Sequence, residues 1–339
     1  MLLLEFPPEL LLHILHHLGR DFFCEDVSRL AVCKRWFEIA WEVLVTDLRL
    51  TEKSLPRFAT NEAGLARISP YLRSIELDLM NLECGKKCRA PDKWKHQMHA
   101  GFPALVAKLQ ECEGLRSLKL RSGPEAAPSP SLSAAACALY LGQPLLDILS
   151  LQNLTSLEVD AAGPCLLGGF LEYLPHLCVA LNSLMCNSPS LKRLHCRMDM
   201  VCERLLEVPH TLDHPCFNRN LDEVVVMLSF AEISNECLIC RHSKPCASAG
   251  KLDLTSLRTR LEQQASIFAR RMHKPKMVRI IRRALPSLDL LVFDALTESR
   301  LRLDFISKWD DHSPSKPLED DGDFPPPEST PVAIYYSGE

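Results

Sequence analysis

The chain has 339 residues, of which 47% are hydrophobic, and its formal net charge is -4. This length and this hydrophobic content exclude a chain that is disordered throughout and allow at least one sizeable core. The mildly acidic balance lacks the basic excess with which dedicated nucleic-acid binders displace counterions, so proteins are the expected partners.

The first residues contain Glu5 and two prolines, which interrupt the apolar core that a secretory signal peptide requires. The 15 cysteines are therefore interpreted as reduced thiols. Every leucine-rich run is broken by Glu, Arg, Asn or Pro before it reaches the roughly 18 apolar residues of a membrane helix. We expect a cytoplasmic or nuclear protein without membrane contact.

The first fifty residues predict three short helices. Pro7–Glu9 opens the first helix, because proline is tolerated in a first turn and an early glutamate favours the helix dipole. This helix is expected to end near Leu18. After a break at Gly19–Asp21, Asp26 is expected to cap a second helix, and a third helix contains Trp36.

Along the first helix, apolar residues recur at helical spacing and predict one apolar stripe. The opposite flank carries three histidines, which are interpreted as a solvated face: His13, His16 and His17. A unit this small has little core of its own, so a partner that covers its outer apolar positions is expected.

Phe6–Leu18 and Glu25–Leu44 together resemble the F-box, in which proline, glutamate and leucines precede Val-Cys-Lys-Arg-Trp at a fixed distance. The resemblance covers about residues 5 to 48. Asp21–Glu25 departs from the family pattern, because it is slightly longer than the usual turn. The alternative interpretation is the core of a small helical domain with no such partner.

In the F-box family the three-helix unit binds the Skp linker protein, which joins it to a cullin scaffold and a RING subunit. The resemblance implies a set of residues that form the linker interface or support it: Pro7, Leu10, Leu11, Ile14, Leu15, Leu18, Val32, Cys33 and Trp36.

Beyond residue 48, one phrase of apolar and polar residues returns at uneven intervals and predicts short strands. Its four clear copies are Tyr71–Leu77, Leu115–Leu120, Leu154–Val159 and Leu191–Cys196. Two weaker copies are Leu221–Val226 and Leu288–Phe293. The intervals exceed the about 20 to 29 residues of a usual leucine-rich repeat, and helical patterns such as Phe102–Leu109 lie between the copies.

This pattern is similar to the irregular leucine-rich regions of fungal-type F-box proteins. The predicted fold class is therefore α/β, with a three-helix F-box at residues 1–48 and an irregular leucine-rich-repeat solenoid at 49–306. Parallel strands would lie inside the solenoid and helices outside. A generic α/β domain is the alternative. Residues 307–339 are rich in acidic residues and proline and predict a disordered tail.

The long interval before the last phrase contains a cysteine-rich loop and a basic run. The spacing of Cys237, Cys240 and Cys246 raises zinc binding, but no fourth ligand is evident, so these residues are interpreted as loop cysteines. The basic run, from Leu254 to about Leu285, predicts a helix with a solvated outer face, and an acidic partner or nucleic acid is the alternative.

The sequence contains no phosphate-binding loop, no nucleophile elbow and no paired-histidine metalloprotease motif. We therefore predict a non-catalytic chain without a cofactor. The resemblance to the F-box family implies that it is the substrate-recognition subunit of a ligase built from Skp, cullin and F-box subunits. The alternatives are a non-ligase F-box scaffold and a zinc-stabilised regulatory module whose basic helix binds nucleic acid.

Overall fold

The computed structural model describes the chain in a series of segments: residues 5–51, 53–78, 103–121, 148–149, 151, 153–161, 177–198, 201–208, 218–228, 254–283, 290–303 and 316–317. These segments form a mixed α/β structure in which helices accompany one ten-stranded sheet. The predicted α/β class is confirmed. The loop that holds Cys237, Cys240 and Cys246 lies outside the described residues, as does most of the predicted tail.

The α-helices are α1 (Pro8–Glu25), α2 (Lys34–Thr46), α3 (Ser54–Ala59), α4 (Glu62–Ile68), α5 (residues 103–110), α6 (Leu177–Asn187) and α7 (Leu254–Arg271). Short 3-10 helices occupy Val27–Leu30 and Glu203–Leu206. Helix α5 confirms the helical pattern predicted there.

The strands are β1 (Asp47–Thr51), β2 (Ser74–Asp78), β3 (Ser117–Arg121), β4 (Ser156–Ala161), β5 (Arg193–Met198), β6 (Glu223–Leu228), β7 (Met277–Arg283), β8 (Leu290–Asp294), β9 (Ser299–Leu303) and β10 (Lys316–Pro317). Their order in the sheet follows their order in the chain. Strands β1 to β7 are parallel, whereas β8, β9 and β10 are added antiparallel.

Alternation within each phrase produces the strands and divides the sheet into two faces. In β3, Leu118 and Leu120 lie in the main core, which is shared with the helices, and Lys119 between them lies on the opposite face. The pairing register repeats this arrangement, since Leu118 lies opposite Ile75 on one side and Leu157 on the other. The strands predicted from the six phrases are confirmed.

A second, smaller apolar cluster lies on the other face of the sheet, towards its C-terminal strands. Its members are Val225, Met227, Met277, Ile281, Leu290, Val292 and Leu303. The alternate residues of β6 and β7 lie in the main core, so both faces of these two strands are buried. Near-continuous apolar runs are typical of parallel strands that are covered on both sides.

The prediction of one basic helix from Leu254 to about Leu285 is wrong beyond Arg271. Helix α7 ends there, and β7 follows at Met277–Arg283. The strand forms because Val278 and Ile280 complete the main core beside β6, while Met277 and Ile281 face the second cluster. The apolar residues of β7 pack on both faces of the sheet, and this packing favours a strand over the helix predicted from the basic run.

The phrase Leu288–Phe293 does form a strand, β8, but the prediction that it runs parallel to the others is wrong. Strand β8 is antiparallel to β7, and only residues 284–289 separate them. A parallel return needs a crossover of about a dozen residues or more. This connection therefore allows only a hairpin.

The N-terminal helices also differ in detail from the prediction. Helix α1 continues past Leu18 to Glu25, and Gly19 breaks it with φ 74 and ψ 175, a conformation that glycine adopts without a Cβ clash. The predicted second helix is the single 3-10 turn Val27–Leu30. The third, α2, begins only at Lys34.

Candidate functional site

The N-terminal helices have a core of their own. Its buried members are Leu15, Phe23, Leu30, Trp36, Ala40 and Val43. At about 1.5–3 kcal/mol for each large apolar side chain, so few residues hold three helical segments together only modestly. Polar contacts that fix the turns between the segments are therefore expected to add to the stability of this unit.

Arg29 and Trp36 tie these segments together. The indole N–H of Trp36 donates a hydrogen bond to the Arg29 carbonyl oxygen at 2.6 Å. The Arg29 guanidinium donates to the Phe22 carbonyl oxygen at 2.6 Å and lies 4.3 Å from the centre of the Phe22 ring. The 3-10 turn is thereby fastened both to the end of α1 and to the start of α2.

Two residues cap the turns. The Asp26 carboxylate accepts a hydrogen bond from the Ser28 N–H at 2.9 Å, and its bonds with Ser28, from the side chain and the backbone, hold the pKa of Asp26 below its usual range. The thiol of Cys33 accepts from the Trp36 N–H at 3.4 Å. The capping predicted for Asp26 is confirmed.

Beside this core, the N-terminal helices expose large apolar side chains. The exposed fractions are 51% for Leu10, 46% for Leu18, 67% for Val27, 59% for Val32 and 39% for Phe37. Elsewhere among the described residues, the large apolar side chains exposed to this degree are spread over separate elements: Tyr71, Val179, Ile267 and Leu296. Apolar exposure is concentrated in the N-terminal helices, as expected where a partner docks.

The spacing within α1 explains why one leucine is exposed and its neighbour is buried. Leu11 and Leu15 are four residues apart on the inner side of the helix, and both are 0% exposed. Leu10 and Leu18 lie on the adjacent side, with the partly buried Ile14 between them at the same spacing. The single apolar stripe of the sequence is thus two stripes in the structure.

The structure places every residue of the predicted interface in the N-terminal helices or directly beside their ends, in two groups. Those that reach solvent are Pro7, Leu10, Ile14, Leu18, Val32 and Cys33. Those that are buried and support them are Leu11, Leu15 and Trp36. Val27 and Phe37 are exposed but were not among the predicted interface residues. Their apolar character beside the capping residues Asp26 and Cys33 is the signal that could have indicated them.

No protein-family model matches the chain, and no similar sequence was found among the curated proteins.

The face of the sheet that lies opposite the main core is a further candidate surface. Charged side chains on this face alternate in sign from one strand to the next. In one register row, Arg49, Glu76, Lys119 and Glu158 lie opposite one another on β1 to β4. The Arg49 Nε and Glu76 Oε1 atoms are 3.7 Å apart, and the Lys119 Nζ and Glu158 Oε2 atoms are 2.9 Å apart. Opposite charges that face each other across strands stabilise this register.

The next row contains Asp78, Arg121, Asp160 and Arg197. Arg197 and Asp160 form a buried pair, in which the Arg197 Nε donates to Asp160 Oδ1 at 2.8 Å. Arg121 is half-exposed and contacts Glu76 and Glu158 at 3.4 and 3.5 Å. In the pair of Arg121 and Glu158, the cation is the more exposed member.

Several basic residues of the C-terminal run are already paired with carboxylates. Arg260 lies 3.4 Å from Glu203, Lys276 lies 3.0 Å from Asp222, and Arg279 lies 3.2 Å from Asp294. Such pairing reduces the local positive potential that binding to nucleic acid would use.

The buried thiols among the described cysteines lack the properties of an activated nucleophile. Burial raises the pKa of Cys186 to about 11 and that of Cys196 to about 12. Reactive thiolates instead require a lowered pKa and access to solvent. No group of three or more His, Cys, Asp or Glu side chains in the described segments is placed to hold a metal ion.

Within the described part of the chain, no helix combines the length and the apolar character that crossing a bilayer demands.

Proposed function

We propose that the N-terminal helices are an F-box that docks on the Skp linker protein, and that the chain is the substrate-recognition subunit of a cullin-type ubiquitin ligase. The observation that carries this proposal is the concentration of exposed large apolar side chains between Leu10 and Phe37, beside a core of its own. Burying such a face against a partner supplies hydrophobic free energy that the isolated unit lacks.

The sheet region supports the second half of the proposal. Its strands follow chain order with one repeated register, which is how stacked repeat units of a solenoid are arranged. Such a stack offers a long, rigid surface on which a protein substrate can be held. Among the charged groups that this surface presents are the half-exposed cations Arg49, Lys119 and Arg121.

In this role the chain breaks and forms no bond itself. It accelerates ubiquitin transfer by raising the effective concentration of the substrate near the charged ubiquitin carrier and by orienting it. The cysteines remain reduced thiols in this proposal, and the place of action is the cytoplasm or the nucleus.

The test is a reconstitution from purified components. The full-length chain is mixed with the Skp linker, a cullin and a RING subunit, and co-elution from a sizing column is followed, with a mixture that lacks the linker as the control. We expect the chain to co-elute with the cullin only when the linker is present. Co-elution in both mixtures, or in neither, contradicts linker-mediated docking.

Addition of the ubiquitin-activating and carrier enzymes separates a ligase subunit from a non-ligase scaffold. A ligase subunit held near the charged carrier is expected to collect ubiquitin on its own lysines, which gel shift and mass spectrometry detect. Assembly without any conjugate would identify the scaffold instead.

A further inference from the structure

The flank of α1 next to the exposed apolar stripe brings two histidine rings together. His13 and His17 are one helical turn apart and both are exposed. Their Nε2 atoms lie 3.3 Å apart, and the ring centroids lie 4.7 Å apart with an interplanar angle of 84°. The helix backbone fixes both Cα positions, so little further ordering is needed to keep the two nitrogens close.

This separation matches the distance between two ligands of one metal ion. Imidazole nitrogens bind zinc at about 2.0–2.1 Å in a tetrahedral arrangement, which places two such nitrogens about 3.3–3.4 Å from each other. A hydrogen bond between the neutral rings accounts for the same contact when no ion is bound. When an ion binds, the ring that donates this hydrogen bond carries its proton on Nδ1 instead of Nε2, so that both Nε2 lone pairs are available to the ion.

We propose that His13 and His17 form a two-ligand site for a divalent late transition-metal ion of the zinc, nickel or copper class. Imidazole is a preferred ligand of these ions. Because no described cluster of three ligand side chains includes the pair, its remaining coordination positions are open to water or to a partner's side chain. The site is thus exchangeable, unlike the closed four-ligand sites that hold a fold together.

The histidine pair lies beside the exposed apolar stripe of α1. Leu10 lies three residues before His13, and Ile14 lies three residues before His17, so each histidine adjoins the exposed apolar stripe. Glu9 lies one turn before His13 on the same flank and contributes negative charge beside a bound cation. A bound ion would therefore place positive charge at the rim of the apolar face.

The third histidine of the helix provides a matched control. His16 is exposed as well, but it is not the partner in the His13–His17 contact. Substitution of any of the three histidines by alanine keeps the helix, since alanine is the residue most favourable to helix interiors. Differences in metal binding among these variants therefore reflect the loss of a ligand and not a loss of the fold.

The experiment is a calorimetric titration of the reduced full-length chain with Ni²⁺, in the absence of any linker protein. Wild type is compared with His13→Ala, His17→Ala and His16→Ala. Sites formed by cysteines contribute equally to all four proteins, so the comparison isolates the histidine pair.

We expect one binding event that His16→Ala retains and that His13→Ala and His17→Ala each weaken roughly 100-fold, because the second nitrogen binds within the same molecule. Identical isotherms for wild type and His17→Ala, or an equal loss in His16→Ala, would overturn the proposal. Since no linker is present, either failure leaves the proposed F-box function untouched.

Discussion

Two leucines of α1 have different roles although their residue type is the same. Leu15 is fully buried in the N-terminal core, whereas Leu10 is half-exposed on the neighbouring side of the helix. The sequence predicted both as interface or supporting residues, and only the packing of the three segments separates the two roles. Periodicity locates an apolar stripe but does not say which edge of it a partner covers.

The different burial of Leu15 and Leu10 predicts that their alanine variants differ in stability. Leu15→Ala removes buried contacts and is expected to lower the free energy of unfolding of the N-terminal unit by about 2–5 kcal/mol. Leu10→Ala removes a half-exposed side chain and is expected to change it by less than about 0.5 kcal/mol. Chemical denaturation followed by tryptophan fluorescence measures both. Equal losses in the two variants would contradict the assigned burial.

Thiol reactivity provides a second test at the residue scale. The thiolate is the reactive form, and a raised pKa means that it appears only as the pH rises towards that value. Burial raises the pKa of Cys186 to about 11 and that of Cys196 to about 12, whereas Cys24 and Cys33 are exposed. At neutral pH, alkylation mapped by mass spectrometry is expected to label the exposed pair and to reach the buried pair only after unfolding.

Repeating the alkylation with bound Skp linker tests the predicted interface. Cys33 belongs to the predicted interface and Cys24 does not, so bound linker is expected to protect Cys33 while Cys24 stays reactive. Rapid labelling of Cys196 in the native chain would show that the described core is wrong. Equal labelling of Cys33 with and without bound linker would place the interface elsewhere.

At the scale of elements, the strands were predictable because each phrase repeats the same alternation of apolar and polar residues. Strand β7 was missed for a physical reason: Arg279, Arg282 and Arg283 obscure the apolar residues that pack on two faces. Its burial depends on β6 and β8, which no local pattern reveals. The alternation of charge across strands was equally hidden, since it appears only when the register aligns separate phrases.

The charge rows predict an effect of breaking a buried pair. In Asp160→Asn, the Arg197 guanidinium loses the charge of its partner in an environment where both side chains are less than 10% exposed. Removing one member of such a pair is expected to destabilise the fold by about 3–5 kcal/mol. Thermal and chemical denaturation of the full-length chain measure this loss.

The matched control is Arg270→Gln. Arg270 is 72% exposed and pairs with Glu298 on the surface, so its loss is expected to cost about 0–1 kcal/mol. If Asp160→Asn were no more destabilising than Arg270→Gln, the charge rows would contribute nothing to the sheet.

For the whole molecule, the sequence predicted the α/β class and the strands of an extended parallel sheet, because one phrase recurs along the chain. It did not predict where the parallel order ends, since the turn from β7 to β8 depends on the length of one connection. The interface residues could be selected by resemblance, but their division into exposed and supporting side chains required the packed helices. The proposed function, a docking unit followed by a surface that holds a substrate, draws on both parts of this arrangement.

The most direct test of this account is the affinity of the purified chain for the purified Skp linker, measured by calorimetry with two matched variants. Leu10→Asp places a charge in the exposed apolar face, at a first-turn position where the helix dipole favours it. Ile267→Asp alters a similarly exposed residue of α7, distant in sequence from that face. We predict that Ile267→Asp binds as wild type does and that Leu10→Asp weakens binding about 30-fold or more. Absence of binding by the wild-type chain, or equal affinity of Leu10→Asp and wild type, would contradict the account.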